Sequence, residues 1–353
     1  MVSLAEVLRR YWAQYERQFG AQILPSHRRA VQAILNCRTA ALGGEVYRCA
    51  DCRRDHFVYH SCNHRACPQC GHADATKWIE RQKLKLLPVP YYLITFTVPE
   101  GLRAWLRSHQ KAGYCALLKE SAGALQDVAR RDKYLGAELG VLSVLHTWGR
   151  QLQFHPHVHC VVPAGGLRPD GLRWCRPHSP DFFLPQIVLA ARFRSRLQAV
   201  LQAQPDSAQI AASVWRQKWV VDVQPVGSGE TALKYLSAYV YRTALGSQRI
   251  VGEADGHLTF KYKDSADQRW RTLKVSVQEF IRRFLQHVLP QGFQRVRYYG
   301  WLSAAAATRW ERILALLNWT LPARKPQATK TLPLCLHCGA QLLWVGRFIR
   351  GPP

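Results

Sequence analysis

Acidic residues are scarce in this chain of 353 residues. Asp and Glu total 23 against 49 Lys and Arg, which leaves a formal net charge of +26 at neutral pH. The positive charges are spread through the chain and form no lysine-rich tail. An excess of this size favours a polyanionic partner, although a ribosome-associated or merely basic protein would share it.

Long apolar runs are missing as well. No stretch of about 18 consecutive apolar residues occurs, which excludes an evident membrane-spanning helix. The first residues lack the charged-then-apolar layout of a secretion signal, and no glycine-rich nucleotide loop of the Walker type is present. We therefore expect a cytoplasmic protein without a nucleotide cofactor. The hydrophobic content of 48% supports one large domain or several small ones.

Eleven cysteines, several in close pairs, indicate metal binding in a reducing compartment and not disulfides. The pair Cys49 and Cys52 and the pair Cys67 and Cys70 each have Cys-x-x-Cys spacing, and fourteen residues separate them. Four thiolates satisfy a tetrahedral structural zinc ion and leave no open position for chemistry. The spacing predicts one such Zn²⁺ site, with a chance or redox arrangement as the alternative. The side chains that could replace a ligand or build a second site are Cys62, His56, His60 and His64.

A candidate catalytic metal site lies in the run HPHVHCVVP, residues 155–163. Side chains i and i+2 of a β-strand share a face, so His157 and His159 present two imidazoles together while the residues between them face the core. Two histidines are half of a site for Mg²⁺ or Mn²⁺. A third ligand is needed, and the candidates are His155, Gln151 and Gln153. The alternative is a packed or surface histidine pair that binds no metal.

A second candidate for the chemistry is the tyrosine-rich run KYLSAYVYR, residues 234–242. Helical spacing puts Tyr235 and Tyr239 one turn apart on a shared face, whereas Tyr241 points elsewhere. Tyrosines that only fill a core or an interface are the alternative. Two adjacent phenols together with metal-binding histidines indicate phosphoryl transfer by tyrosine.

These motifs resemble those of rolling-circle transposases from bacterial insertion sequences, the IS91 family. The resemblance rests on HPHVHCVVPAGG followed by KYLSAYVYR, and it extends through the cysteine cluster, YYLITFTVPEGL and EFIRRFLQHVLPQGFQRVRYYGWL. It implies a single-strand DNA nuclease and strand transferase of the HUH superfamily, which joins DNA 5′ ends to tyrosine. The implied partner is single-stranded or hairpin DNA at the bacterial nucleoid, and the oligomeric state stays open.

The implied mechanism uses Tyr235 or Tyr239 as the attacking group and leaves a 5′-phosphotyrosine and a free 3′-OH. A histidine-held ion would act as a Lewis acid on the scissile phosphate. Two alternatives remain. One is a replication initiator or relaxase that nicks an origin, and the other is an inert zinc-containing DNA-binding protein. The zinc module and the arginine-rich region downstream favour the transposase.

The sequence pattern divides the chain into five segments. They are a helical segment (1–45), a zinc-binding module (46–86), a catalytic domain with the tyrosine helix (87–250), a small basic α/β DNA-binding region (251–330) and a tail (331–353). Strand and helix patterns in the catalytic domain, including a strand from Trp215 to Val223, predict an α+β fold with helices over an antiparallel sheet. The resemblance implies a ferredoxin-like core there. The tail pair Cys335 and Cys338 either borrows ligands from the N-terminal cysteines or belongs to a degenerate ribbon.

Cations alternate with aromatic residues in the basic region. This arrangement suits single-stranded nucleic acid, because charges meet phosphates and rings meet bases. An ordinary sheet with buried rings and solvated cations is the alternative. The candidate DNA-binding residues are Lys234, Arg242, Lys261, Lys263, Arg282 and Arg283.

Overall fold

The computed structural model describes residues 2–70, 72–179, 182–240, 246–264, 266–323 and 333–349, without the side chains of residues 72–74, 235, 237–240 and 247. The helices are α1 (Leu4–Phe19), α2 (Pro25–Asn36), α3 (His72–Lys83), α4 (Glu100–Ser108), α5 (Gln110–Ala129), α6 (Gln186–Gln202), α7 (Ala212–Arg216), α8 (Gly229–Val240), α9 (Val277–Leu285) and α10 (Ala307–Leu316). The strands are β1 (Gly44–Cys49), β2 (Asp55–Tyr59), β3 (Tyr91–Thr97), β4 (Gly140–Trp148), β5 (Phe154–Pro163), β6 (Gly166–Leu167), β7 (Trp174–Cys175), β8 (Val220–Pro225), β9 (Ile250–Ala254), β10 (His257–Lys263), β11 (Trp270–Ser276), β12 (Val296–Gly300) and β13 (Leu342–Phe348).

The chain forms two compact units. The first comprises Met1–Asp74, Tyr241–Val288 and Ala323–Pro353, and the second comprises Ala75–Val240 and Leu289–Pro322. Both units combine stretches that are far apart in the sequence, so neither coincides with one of the five predicted segments. Among the described residues, no helix has the length and apolar character needed to cross a bilayer.

The first unit contains two three-stranded antiparallel sheets, in the orders β13-β1-β2 and β11-β10-β9. Helix α1 packs against α2 and α9, and α9 packs on β10 and β11. Glu253 of β9 accepts hydrogen bonds from Arg10 and Tyr11 of α1, which tie this helix to the second sheet.

The second unit is organised around a five-stranded antiparallel sheet in the order β12-β4-β5-β3-β8. Helices α4 and α5 connect β3 to β4, and α6 lies between β5 and β8. The succession strand, helix, strand, strand, helix, strand is that of a ferredoxin-like fold. Strand β12 extends the sheet beside β4. The predicted α+β class with a ferredoxin-like core is confirmed.

The strand predicted from Trp215 to Val223 is wrong in its first half. Helix α7 extends to Arg216, and β8 begins only at Val220. Trp215 stacks on Trp219 inside the core, with ring centroids 5.6 Å apart. Burial of these two indoles therefore explains the apolar run without strand pairing.

The two faces of the five-stranded sheet differ in what covers them. One face carries Ile94, Phe96, Val158 and Cys160, which lie in the main hydrophobic core with residues of α5 and α6. Because side chains alternate along a strand, the odd-numbered residues of β5 around 157 and 159 lie on the opposite face. Helix α8 packs on β3 and β4.

A buried ion pair joins α5 to α6. The guanidinium of Arg196 donates to Glu120 and to Asp127, both at 2.8 Å. The Glu120 side chain is only 3% exposed, so Arg196 replaces the water that its carboxylate lacks. Arg192 donates a further hydrogen bond to Asp127 at 2.6 Å.

Replacing Arg196 by Ala should lower the free energy of unfolding by about 3–5 kcal/mol, because the Glu120 carboxylate would stay buried without its partner. Arg192→Ala is the matched control. It leaves Asp127 paired with Arg196, and we expect a loss of about 1 kcal/mol or less. Urea unfolding followed by tryptophan fluorescence measures the stability of both variants. Equal losses would show that the Arg196–Glu120 pair stabilises the fold no more than the Arg192–Asp127 pair.

Candidate active site and metal centres

Strand pairing brings three histidines together on the sheet. His146 of β4 pairs directly with His157 of β5, and His159 lies two residues further along on the same face. The three side chains place one ring nitrogen each within 4.8 Å of the others. Metal–nitrogen bonds are about 2.1 Å long, so small side-chain adjustments would bring all three nitrogens to one ion.

The three imidazoles are in the protonation state that binds metal. Burial lowers the pKa of His157 to about 4 and holds the pKa values of His146 and His159 well below the ordinary value. His146 and His159 are only 1% and 6% exposed. Neutral imidazole is the ligand form of histidine, so the cluster can accept a divalent cation at pH 7 without first losing protons.

Two hydrogen-bonding contacts orient these rings. Nδ1 of His157 donates to the backbone carbonyl of His155 at 2.7 Å, and Nδ1 of His159 lies 3.0 Å from the hydroxyl of Thr95 on β3. A contact at one ring nitrogen fixes which nitrogen is presented to a metal. For a metal bound by this cluster, these contacts favour Nε2 as the ligand atom of His157 and His159.

The structure brings a different third histidine to the pair than the one the sequence suggested as a ligand. His146 joins the histidine pair, whereas His155 accepts a hydrogen bond at its backbone carbonyl and packs its ring beside that of His157, with centroids 5.2 Å apart. The side chain of Gln153 accepts a hydrogen bond from the backbone N–H of Gln151 in the connection between β4 and β5. Periodicity along β5 could not reveal His146, because this residue lies on a different strand. The available sequence signal was a histidine near the end of the preceding strand, because a short turn joins that strand to β5.

Helix α8 covers the face of the sheet that carries the histidines. Leu233 of α8 lines a cavity together with Leu142 and Val161, which pair across β4 and β5. Leu142 is four residues from His146 along β4, and Val161 is two residues from His159 along β5. Residues separated by an even number lie on the same face of a strand. All of these side chains therefore share one sheet face.

The predicted nucleophiles belong to this helix. The backbone of α8 is helical through Tyr235 and Tyr239, so their predicted separation of one turn holds for the main chain. Their side chains lie outside the described residues, as do Tyr241 and Arg242 entirely.

Eight cysteines gather in two clusters in the first unit. In each cluster the four sulfurs lie within 4.8 Å of one another. The first cluster consists of Cys37, Cys62, Cys67 and Cys70, and the second consists of Cys49, Cys52, Cys335 and Cys338.

The single four-cysteine site predicted from the sequence is therefore wrong in its grouping. Cys67 and Cys70 join Cys62, which the sequence left as a surplus ligand, and Cys37 at the end of α2. Cys37 reaches them because the backbone N–H of the next residue, Arg38, donates to the carbonyl of His60. No Cys-x-x-Cys spacing marks Cys37, so spacing alone could not place it in a cluster.

Burial disfavours a bare thiolate at Cys62 of the first cluster. It raises the pKa of the Cys62 thiol to about 12, so a thiolate there requires a positive charge beside it. Cys70 lies 3.5 Å from Cys37 and 3.6 Å from Cys62, sulfur to sulfur. Thiolate ligands in a closed set of four are the donors that Zn²⁺ takes in structural sites.

Comparison with known proteins identifies the family. Residues 7–98 match the family model described as "Transposase zinc-binding domain", and residues 140–309 match the one described as "Putative transposase". The protein named "Putative transposase y4qJ", from Sinorhizobium fredii, is 38% identical over 321 residues, which cover 85% of this chain and 80% of the relative. This chain belongs to the IS91 family of transposases.

The transposase is also similar to the "Transposase for insertion sequence element IS801" from Pseudomonas savastanoi pv. phaseolicola. The two are 26% identical over 343 residues, which cover 89% of the transposase and 82% of that relative. No solved structure matches the transposase.

All three lysines that the sequence suggests for DNA binding are exposed in the transposase. They are Lys234 on α8 and Lys261 and Lys263 on β10. Phe260, which precedes Lys261 on β10, is fully buried, and Tyr262 is half-buried, whereas Trp270 on the neighbouring strand is 62% exposed. Among the rings of this hairpin, burial therefore removes Phe260 from base stacking and leaves Trp270 for it.

The two predicted arginines of α9 are held by a carboxylate. Arg282 and Arg283 donate to Glu279 at 2.6–2.8 Å. The hydrogen bond from Arg282 and that from Arg283 lower the pKa of Glu279 to about 2. A DNA phosphate would have to compete with this carboxylate for both guanidinium groups.

Replacing His146 by Ala should weaken Mn²⁺ binding more than about tenfold, because the ion would lose one of three nitrogen ligands. His155→Ala is the matched control and should change the affinity much less, since the His155 ring packs beside His157 but places no nitrogen in the cluster. Isothermal titration of the zinc-loaded protein with Mn²⁺ distinguishes the two. A larger loss for His155→Ala than for His146→Ala would restore His155 as the third ligand.

Proposed function

We propose that the transposase cleaves and rejoins single-stranded DNA during rolling-circle transposition. In this proposal Tyr235 and Tyr239 are the nucleophiles, and His146, His157 and His159 hold a divalent ion. The observation that carries it is the packing of the tyrosine helix α8 on the sheet face that bears the three histidines.

The course of α8 supports this assignment. A Cβ added to Gly229, at the start of the helix, would meet the ring of Tyr91 at the start of β3. One turn later, Leu233 lines a cavity with Val161. On β5, Val161 is two residues closer to His159 than Pro163, which pairs with Tyr91. One helix turn rises 5.4 Å, and two strand residues rise about 6.7 Å. Each turn of α8 therefore advances by about two residues along the strands. The later turns of α8, which contain the tyrosines, therefore extend along the sheet toward His159 and His157.

The donor set fits a catalytic ion. Three neutral imidazoles leave coordination positions for water and a phosphate oxygen, unlike a closed set of four thiolates. Imidazole suits Mn²⁺ better than Mg²⁺, and Mg²⁺ is the more abundant ion in cells. When bound, such an ion supplies Lewis-acid stabilisation of charge on the phosphoryl oxygens.

The tyrosine step balances without any further reactant. The phenol oxygen bonds to the phosphorus, the bond from phosphorus to the 3′ oxygen breaks, and the 3′ oxygen gains a proton as the phenol loses one. The products are a 5′-phosphotyrosine and a free 3′-OH. A phenol with a pKa near 10 is a weak nucleophile at pH 7, so it needs activation by a nearby cation or base.

Two tyrosines allow two transfers in succession. A 3′-OH can attack the phosphotyrosine and restore a phosphodiester bond, because the bond energy is retained in the covalent link. A second tyrosine can hold another 5′ end during that exchange. No nucleotide is needed as an energy source.

The surface charge supports single-stranded or hairpin DNA as the substrate. A net charge of +26 supplies attraction to phosphates, and the exposed Lys261, Lys263 and Trp270 offer charge and a stacking ring on one hairpin. We place the reaction in the cytoplasm at the bacterial nucleoid, where such DNA is found. We also assign a structural Zn²⁺ to the first cysteine cluster of the zinc-binding domain.

Tyr235→Phe and Tyr239→Phe should each keep the fold and lose one covalent step, because each removes one attacking oxygen and retains the ring. The double variant should form no protein–DNA adduct on single-stranded DNA from the ends of its own element. The loss of a nucleophile should slow cleavage more than about 1,000-fold. His157→Ala should impair both steps, since both would use the same ion.

Tyr241→Phe is the control for these variants and should cleave at nearly the normal rate. Denaturing gel electrophoresis detects the adduct, and mass spectrometry of the linked peptide maps it. An adduct formed by the double variant and mapped to Tyr241 would overturn the assignment of the nucleophiles.

A further inference from the structure

The second cysteine cluster draws its ligands from both ends of the chain. Cys49 and Cys52 lie within the matched zinc-binding domain, residues 7–98, but Cys335 and Cys338 lie far beyond it. We propose that these four cysteines hold a second structural Zn²⁺ and that the tail thereby completes a zinc ribbon begun by β1 and β2.

The sulfur spacing is that of a tetrahedral zinc site. Zinc–sulfur bonds of about 2.3 Å place neighbouring sulfurs of a regular tetrahedron about 3.8 Å apart. Cys49 and Cys338 have their sulfurs 3.4 Å apart, and those of Cys52 and Cys335 are 3.7 Å apart. A disulfide would require about 2.05 Å.

The two Cys-x-x-Cys turns have the same backbone hydrogen bonds. The N–H of Cys49 donates to the carbonyl of Arg54 at 2.9 Å, and the N–H of Cys335 donates to the carbonyl of Ala340 at 2.7 Å. Each bond spans five residues. The residue after the second cysteine has a positive φ in both turns, +56° at Arg53 and +78° at Gly339. The tail turn is therefore a complete knuckle and not a degenerate one.

Backbone N–H groups in both turns also point at sulfur. Cys52 N–H donates to the Cys49 sulfur, and His337 N–H donates to the Cys335 sulfur, each at 3.4 Å. His56 adds a contact from its Nε2 to the Cys335 sulfur at 3.3 Å. Donors aimed at sulfur stabilise the thiolate form, which is the form that binds zinc.

Strand pairing holds the two knuckles at one end of a sheet. Strand β13 pairs with β1 in antiparallel register, and Leu342 lies opposite Cys49. An isolated bridge between Leu334 and Gln341 closes the tail turn. Cys49, Cys335 and Leu342 form a small buried cluster. The two turns thus face each other across a packed base, which brings their sulfurs together.

The zinc content of the full-length transposase tests this proposal directly. We would use the His157→Ala background, because three histidines could also take up zinc. Elemental analysis should give two zinc ions per chain. Cys335→Ser combined with Cys338→Ser should lower the count to one, as should Cys67→Ser combined with Cys70→Ser. Cys175→Ser, which changes a cysteine outside both clusters, should keep two.

A protection experiment on the unmutated chain covers the case in which a variant does not fold. Iodoacetamide should spare Cys335 and Cys338 in the zinc-loaded protein and should label both after a chelator removes the metal, as mass spectrometry of the peptides would show. The proposal is overturned by a single zinc ion per chain, by two ions in the tail variant, or by a disulfide that contains Cys335 or Cys338. These readouts do not depend on DNA cleavage, so they stand apart from the proposed function.

Discussion

The antiparallel register between β4 and β5 is the constraint on which the candidate active site depends. This register sets His146 opposite His157 and carries His159 to the same face. A slip of one residue would turn the histidines of one strand toward α5 and α6. The register is fixed by burial on the other face, where Val158 and Cys160 pack in the core. Packing of the hydrophobic core on one face thus sets the positions of the three histidines on the other face.

The chain contains two kinds of candidate metal centre, and their donor sets separate their roles. Four thiolates close the coordination shell of a zinc ion, so each cysteine cluster suits a structural ion that fastens chain segments together. Three imidazoles leave the shell open, so the histidine cluster suits an ion that must contact a substrate oxygen. The cysteine clusters lie in the first unit and the histidine cluster lies in the second.

Periodicity and spacing predicted those features that a single local segment determines. The strand that presents His157 and His159, the helix with Tyr235 and Tyr239, and the α+β class all follow from patterns within short stretches, whereas the ferredoxin-like core was implied by the family resemblance. Pairings between distant segments could not be read from the sequence. The regrouping of the cysteines depends on β13 lying beside β1, nearly 300 residues away in sequence, and no local pattern records that pairing.

Two smaller departures have the same physical origin. His146 belongs to the site because of strand register, which a one-strand pattern does not specify. The run around Trp215 looks like a strand because it is apolar, but its indoles are buried from a short helix and a turn. In both cases tertiary packing, and not local propensity, decided the outcome.

The central claim is that an ion held by the three histidines contacts the scissile phosphate during attack by tyrosine. Sulfur substitution at each non-bridging oxygen of that phosphate tests it most directly. In Mg²⁺, one of the two phosphorothioate isomers should be cleaved much more slowly, and Mn²⁺ should restore its cleavage because Mn²⁺ accepts the softer sulfur ligand more readily. Equal cleavage of both isomers in Mg²⁺, or a slow isomer that Mn²⁺ does not rescue, would contradict this account.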